Sequence, residues 1–298
     1  MRLAGAIDIG GTSTKIGIVG QDGSILARAR VPTSIQGEPR SLVSAIGDAF
    51  DAMLKANATA RPLMGVGVSV AGFLTPDRSA MVHNANLPAL REFPLRAALE
   101  KRLGFQCQLE VDSNATTLAE FHYGAGKNSE RLLGLTIGTG IGGGVILGGK
   151  LVRYTGECAG DIGHVIVKPG GRLCTCGAYG CLESMANASA LSERLGGRAV
   201  KDIIESAERG DQPSIDAIAE SGYWIGLGAA SLAPLFDPDV IVIGGGVAAA
   251  RELLLGPARQ SYLKNASPQY TDASFVGSMF DGWDGLVGAA SVLLSPVV

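Results

Sequence analysis

The 298-residue sequence contains no run approaching the ~18 consecutive apolar residues that a membrane helix needs. Its first residues lead from Met1 to Asp8 without the apolar stretch of a secretory signal, so a cytoplasmic protein with no membrane partner is expected. Charge of one sign is missing as well: 25 Lys and Arg against 28 Asp and Glu, scattered along the chain, leave a net charge of −3. That balance lacks the basic footprint of a nucleic-acid-binding protein and argues for small-molecule partners. In a reducing compartment the five cysteines are not expected to form disulfides and need another explanation. No G-x-x-x-x-G-K-[ST] motif occurs, which excludes a P-loop, and no Ser/Pro-rich linker divides the chain.

What is present is a globular composition, 46% apolar and 18% charged, in a chain longer than the roughly 250 residues at which single cores split. Two lobes packed around a cleft are expected. The 43 glycines are about twice the usual ~7% and are clustered, as in backbone turns that approach a ligand closely. Strand and helix patterns alternate. Residues 4–19 read as strand, glycine turn, strand; 24–31 as a strand; 42–55 as a helix; 64–70 as a buried strand. A helix over 94–103, a strand over 106–111 and a helix over 114–123 follow. The opening plan then recurs: strand 132–137, a glycine turn over 138–144, strand 145–147. The pattern ends with helix 215–235, strand 240–243 and helix 286–294. This is an α/β architecture with an internal duplication.

The first hairpin, Asp8-Ile9-Gly10-Gly11-Thr12-Ser13-Thr14-Lys15, gathers bare N–H groups, hydroxyls and a cation in one turn. Those groups can hold triphosphate oxygens, with Asp8 placed to hold Mg²⁺ through water. A plain β-hairpin would also use Gly-Gly for its turn. The second turn, with Thr139, Gly140 and Gly142, repeats the pattern, and two such turns make a nucleotide clamp. Its G-x-G-x-x-G spacing does not indicate NAD, because a strand rather than a helix follows. His164 with Cys174, Cys176 and Cys181 matches a Cys₃His zinc site whose four protein ligands leave no open position, hence a structural zinc. Asp112, where a strand runs into a helix, is either a helix N-terminal carboxylate or a base for phosphoryl transfer.

Together these residues resemble the ROK family of sugar kinases and related repressors over nearly the whole chain. Asp8–Lys15 and the segment 135–144 resemble its two phosphate motifs, and Asp112-Ser113-Asn114-Ala115 is similar to its catalytic stretch. Residues 159–164 resemble its sugar motif, 174–183 its zinc signature, and 240–247, with Gly244 and Gly245, its adenosine side. The resemblance implies a duplicated, ribonuclease H-like, actin-like ATPase fold. Its lobes are expected at 1–120 with 286–298 and at 121–285, with sugar in the cleft and Mg-ATP on the glycine turns. It also implies transfer of the ATP γ-phosphate to the 6-hydroxyl of a hexose or N-acetylhexosamine with Asp112 as base. The sugar would be bound by Gly72, Asn86, Asp112, Asp161, His164 and Glu183, in a homodimer. Val111 stands where the family has Asn, and Asp161 where it has Glu. A weakened sugar hydrogen bond costs roughly 1–3 kcal/mol, enough to change which sugar is preferred. The competing expectation is a sugar sensor that binds without turnover; with seven residues ahead of Asp8, a DNA-binding repressor is disfavoured.

Overall fold

In the opening strand β1 (Leu3–Ile9) every residue is buried, and large and small side chains alternate by face. Leu3, Ile7 and Ile9 enter one core; Ala4 and Ala6 enter another. The period of two presents a bulky face to one layer of helices and a shallow face to a second layer. The computed structural model describes residues 1–33, 37–57, 62–83, 87–153 and 161–295. It divides into two compact units: Met1–Lys127, Lys150–Ala159 and Trp283–Val298 form the first, Asn128–Gly149 and Gly160–Gly282 the second.

In the first unit, β1 is flanked by β2 (Ser13–Gly20), antiparallel, and β4 (Val66–Val70), parallel. With β3 (Ile25–Pro32) and β7 (Cys107–Val111) the sheet order is β3-β2-β1-β4-β7. A short hairpin, β5 (Phe73–Leu74) and β6 (Met81–His83), follows β4. Helix α1 (Pro39–Ala56) places Val43, Ile46, Phe50 and Met53 on one buried face at helical spacing, and α2 (Leu95–Leu103) ends at Gly104, whose φ of 73° is the left-handed cap that glycine favours. Both pack on the bulky face. Helix α3 (Asp112–Tyr123) leaves directly from β7, and α9 (Asp284–Leu294) lies on the shallow face, with Leu286, Ala289, Ala290 and Leu294 against Ala4, Ala6 and Val19.

The second unit repeats the plan. Strands β8 (Leu132–Ile137) and β9 (Ile141–Leu147) form an antiparallel hairpin, and β11 (Val240–Gly244) and β12 (Ser274–Gly277) continue from β8 in parallel; the two-residue strand β10 (Lys150–Leu151) is counted with the first unit. The glycine turn expected over 138–144 is shorter than that. Only Gly138–Gly140 turn, and Gly142, Gly143 and Gly144 pair as strand residues with Thr136, Leu135 and Gly134. Glycine density reads as loop, but here it lets a neighbour approach: a Cβ on Gly143 would run into Ile162. The helices are α4 (Leu182–Ala186), α5 (Ala188–Arg194), α6 (Val200–Glu208), α7 (Gln212–Phe236) and α8 (Glu252–Asn265). Asp211 caps α7 by accepting the Ser214 N–H at 3.2 Å. Among the described residues no helix is long and apolar enough to cross a membrane.

Candidate active site

In the first unit the sheet register sets the chemistry. Asp8 lies opposite Lys15 on β2 and Ser69 on β4, and Ser69 lies opposite Glu110 on β7. The Asp8 carboxylate accepts from Lys15 Nζ at 2.9 Å and from Ser69 Oγ at 3.0 Å. Lys15, read from the sequence as a phosphate cation, is thus engaged with Asp8. Gly10, Gly11 and Thr12 make the β1–β2 turn, where the Gly10 N–H donates to Ser13 O at 3.3 Å and the Thr12 carbonyl accepts from Thr33 N–H at 3.0 Å. At the far end of β4, Gly72 has a φ of 106°.

Asp112 is the first residue of α3, and its Oδ1 accepts the Ser113 N–H at 2.8 Å. Burial pushes its carboxyl up to about 6, against the opposing pull of that hydrogen bond, and the charges of Asp8 and Asp284 add to the rise. Asp284, the first residue of α9 and 8% exposed, is pushed up to about 6 as well, first by burial and then by Asp8. It belongs to the same group of carboxylates, and the sequence reading missed it: an acid opening an apolar helix reads as an ordinary first-turn residue. The residue after it carried the signal. A Cβ on Gly285 would stand 2.7 Å from the Asp8 carboxyl, so only glycine lets the head of α9 come this close.

One residue before Val111, Glu110 is fully buried and accepts from Arg78 at 2.8 Å, from Arg153 at 2.7 Å and from Asn114 Nδ2 at 3.1 Å. The neighbouring Val111 is buried, and its N–H also donates to Glu110, at 3.1 Å. Asn86 and Cys158 lie outside the described residues.

In the second unit, Cys174, Cys176, Cys181 and His164 place their ligand atoms within 4.8 Å of one another. A tetrahedron with Zn–S bonds of about 2.3 Å has S–S edges of about 3.8 Å, and Cys176 Sγ lies 3.7 Å from Cys181 Sγ. The donor set and its dimensions fit zinc. His164 presents Nδ1 to Cys174 Sγ at 3.5 Å, while its Nε2 lies 3.6 Å from Asp161 Oδ1. Burial raises the Asp161 carboxyl, and Glu183 adds to the rise against the pull of His164. Glu183 Oε1 accepts from the Thr175 hydroxyl at 3.1 Å and its Oε2 from the Ile141 N–H at 3.0 Å.

The turn Gly138–Gly140 opens onto a cavity of about 530 Å³ lined by Thr139, Ala188, Val200, Ile204, Gly246 and Val247, with Lys201 and Glu205 also in its wall. Its floor is apolar, as a flat heterocycle requires. Gly244 ends β11, and Gly245, with a φ of 88°, turns the chain into the Gly246–Ala250 segment that supplies the cavity's third side. Gly142 sits inside β9, opposite Thr136. The apolar wall from α6 carries no motif and was not legible as a site.

The model of the ROK family matches residues 4–295. The chain belongs to the ROK family. It is 32% identical to a glucokinase of Streptomyces coelicolor, with 99% of each chain covered, and 31% identical to an N-acetylmannosamine kinase of Escherichia coli, with 97% of each covered. Among solved structures it resembles a ROK family glucokinase from Streptomyces griseus in complex with glucose and AMPPNP, with a TM-score of 0.84, 33% identity, and 98% of this chain and 99% of that one covered. This ROK chain therefore has the duplicated actin-like ATPase fold that its two matching sheet orders display.

Proposed function

We propose that this protein is an ATP-dependent sugar kinase that transfers the γ-phosphate to the 6-hydroxyl of a hexose or N-acetylhexosamine. The observation that carries the reading is the group formed by Asp8, Asp112 and Asp284 at one end of the first sheet, with the carboxyl of the half-buried Asp112 pushed up to about 6. Asp112 is the base: it accepts the hydroxyl proton as the sugar oxygen bonds to the γ-phosphorus and the bond to the β,γ-bridging oxygen breaks, releasing ADP. A carboxylate with a pKa near 6 is ionised at pH 7 and still basic enough to take that proton.

In the first unit the N–H groups of the Gly10–Thr12 turn, with Lys15, face phosphate oxygens. The hard oxygen donors at Asp8 suit Mg²⁺, held through water, and that ion supplies charge neutralisation for the transferring phosphoryl. In the second unit Thr139 and Gly140 meet phosphate, and the cavity beside Gly246 takes the adenosine. Gly72, Asn86, Asp161, His164 and Glu183 are the sugar contacts, with Cys174, Cys176, Cys181 and His164 holding a structural zinc that shapes the sugar subsite indirectly. We propose that the protein acts as a cytoplasmic homodimer with small-molecule partners.

The second reading, a sensor that binds sugar without turnover, rests on Val111, whose buried side chain has nothing to bond a hydroxyl with. Asp112→Asn separates the two. As a kinase base, its loss keeps sugar affinity within about twofold while kcat falls ~10²-fold or more. Near-normal turnover by the variant would remove Asp112 from this role, and no turnover by the parent protein on any sugar favours the sensor.

A further inference from the structure

The turn Gly138–Gly140 has a single internal hydrogen bond, from the Gly138 N–H to Gly140 O at 2.9 Å. Three exposed or half-buried residues, two of them glycine, cannot hold one conformation on that bond alone. What holds them is the junction of α4 and α5. The Gly138 carbonyl accepts the Ala188 N–H at 2.9 Å, and the Thr139 carbonyl accepts Asn187 Nδ2 at 2.8 Å. Just past the turn, the Ile141 N–H donates to Glu183.

These bonds aim the turn. In a planar trans peptide the N–H points opposite to the C=O. Fixing the Gly138 and Thr139 carbonyls on α5 therefore directs the N–H groups of Thr139 and Gly140 the other way. Among the described residues neither of these N–H groups has an acceptor. Two adjacent N–H donors on one side of a glycine turn form an anion cradle, next to the cavity that Thr139 and Ala188 both line.

Asn187 is built for this task. Its Oδ1 accepts the Ala190 N–H at 2.8 Å and caps α5, while its Nδ2 reaches Thr139. Rotating the amide by half a turn would set oxygen against oxygen and nitrogen against nitrogen, so one orientation satisfies both partners. The side chain is 9% exposed and its own N–H is tied to Glu183 O at 3.1 Å.

We infer that Asn187 is a positioning residue for nucleotide: it holds the Gly138–Gly140 turn with its N–H groups toward phosphate and so sets nucleotide affinity without touching the nucleotide. This rests on the proposed reading of that turn as a phosphate site. The amide of its side chain touches none of the proposed sugar contacts, so removing that amide is expected to leave sugar affinity in place.

The test uses the full chain, with calorimetric titration of Mg-AMPPNP and a separate titration of glucose or N-acetylmannosamine. Asn187→Ser keeps a hydroxyl to cap α5 but is too short to cap and reach Thr139 at once. It is expected to weaken AMPPNP roughly tenfold, the loss of one polar tie, with sugar affinity within twofold and Tm near that of the parent. Asn187→Ala, which also loses the cap, is expected to show the same nucleotide loss and a lower Tm. Gly140→Ala is the control for the site, because its Cβ would stand 2.6 Å from Glu183 Oε2 and push that carboxylate off the Ile141 N–H that it holds at the end of the turn. If Gly140→Ala weakens AMPPNP and Asn187→Ser does not, the inference falls while the phosphate reading stands. A parent protein that binds no AMPPNP, or binds it unchanged in Gly140→Ala, overturns that reading and the inference with it. Nucleotide and sugar affinities falling together with Tm would reduce Asn187 to a structural cap and overturn the inference too.

Discussion

Burial gives the carboxylates around Asp8 their character, and the consequence is a pH dependence. Asp112, pushed up to about 6, must be ionised to accept a proton. The acid limb of kcat/KM against pH is therefore expected to have its midpoint near 6 rather than near 4, and activity unchanged down to pH 5 would contradict Asp112 as that base. The Asp284 charge contributes to that rise, so Asp284→Asn is expected to move the midpoint downward. The same variant tests stability. Asp284 has a raised folded-state pKa, so the folded protein binds its proton more firmly than the unfolded chain does. The group thus disfavours folding above pH 6 and does so progressively less as pH falls from about 6 to about 4. Removing the charge is expected to stabilise the protein at pH 8 by up to on the order of 2–3 kcal/mol, read as a higher Tm, with the gain gone at pH 4. A gain that does not depend on pH would contradict this origin. Asp8 and Asp112 were legible in the sequence because each stands where a strand ends at a turn or helix. Asp284 was not, because only the tertiary approach of α9 to β1 brings it beside Asp8.

At the scale of elements, two fastenings carry the site. Glu110 on β7 holds Arg78, between β5 and β6, and Arg153, which follows β10, so one buried carboxylate anchors separate loops beside Asp112. Glu110→Ala leaves both guanidinium groups facing a void, and a loss of about 3–5 kcal/mol is expected from denaturant unfolding. A loss below about 1 kcal/mol would mean that the network contributes little. The cysteine knuckle is the second fastening. Metal analysis is expected to find about one zinc per chain, and a strong chelator is expected to lower Tm, because a closed site contributes folding free energy directly. Protein purified without chelator that holds no zinc and melts unchanged would contradict it. The knuckle could be read from the sequence because its four ligands fall within eighteen residues. Both hairpins were legible for the same local reason. Glycines 142–144 misled because they pair as strand residues, and Gly143 among them admits Ile162, a partner distant in the pattern. Helix α8 was missed because Pro257 and the absence of a clear apolar stripe disguise it, and packing against the Gly222 and Gly226 face of α7 stabilises it instead.

For the whole molecule, each unit is built on the same sheet, a hairpin continued by parallel strands, and the family match runs from residue 4 to residue 295. The sequence showed that duplication because both copies keep their glycine turns. It did not show the apolar cavity proposed for the adenosine, whose walls come from α5, α6 and the segment after β11. Relatives at similar identity are named for two different sugars, glucose and N-acetylmannosamine, and Val111 and Asp161 alter hydrogen-bonding groups at the proposed sugar contacts. The acceptor is therefore best found by direct assay. The deciding measurement is ADP release from Mg-ATP across glucose, mannose, fructose, allose, glucosamine, N-acetylglucosamine and N-acetylmannosamine, with Asp112→Asn as the blank. Turnover on at least one sugar, abolished in the blank, is the expected result. Zinc-loaded protein that binds ATP yet turns over none of them would contradict the assignment as a kinase of these sugars.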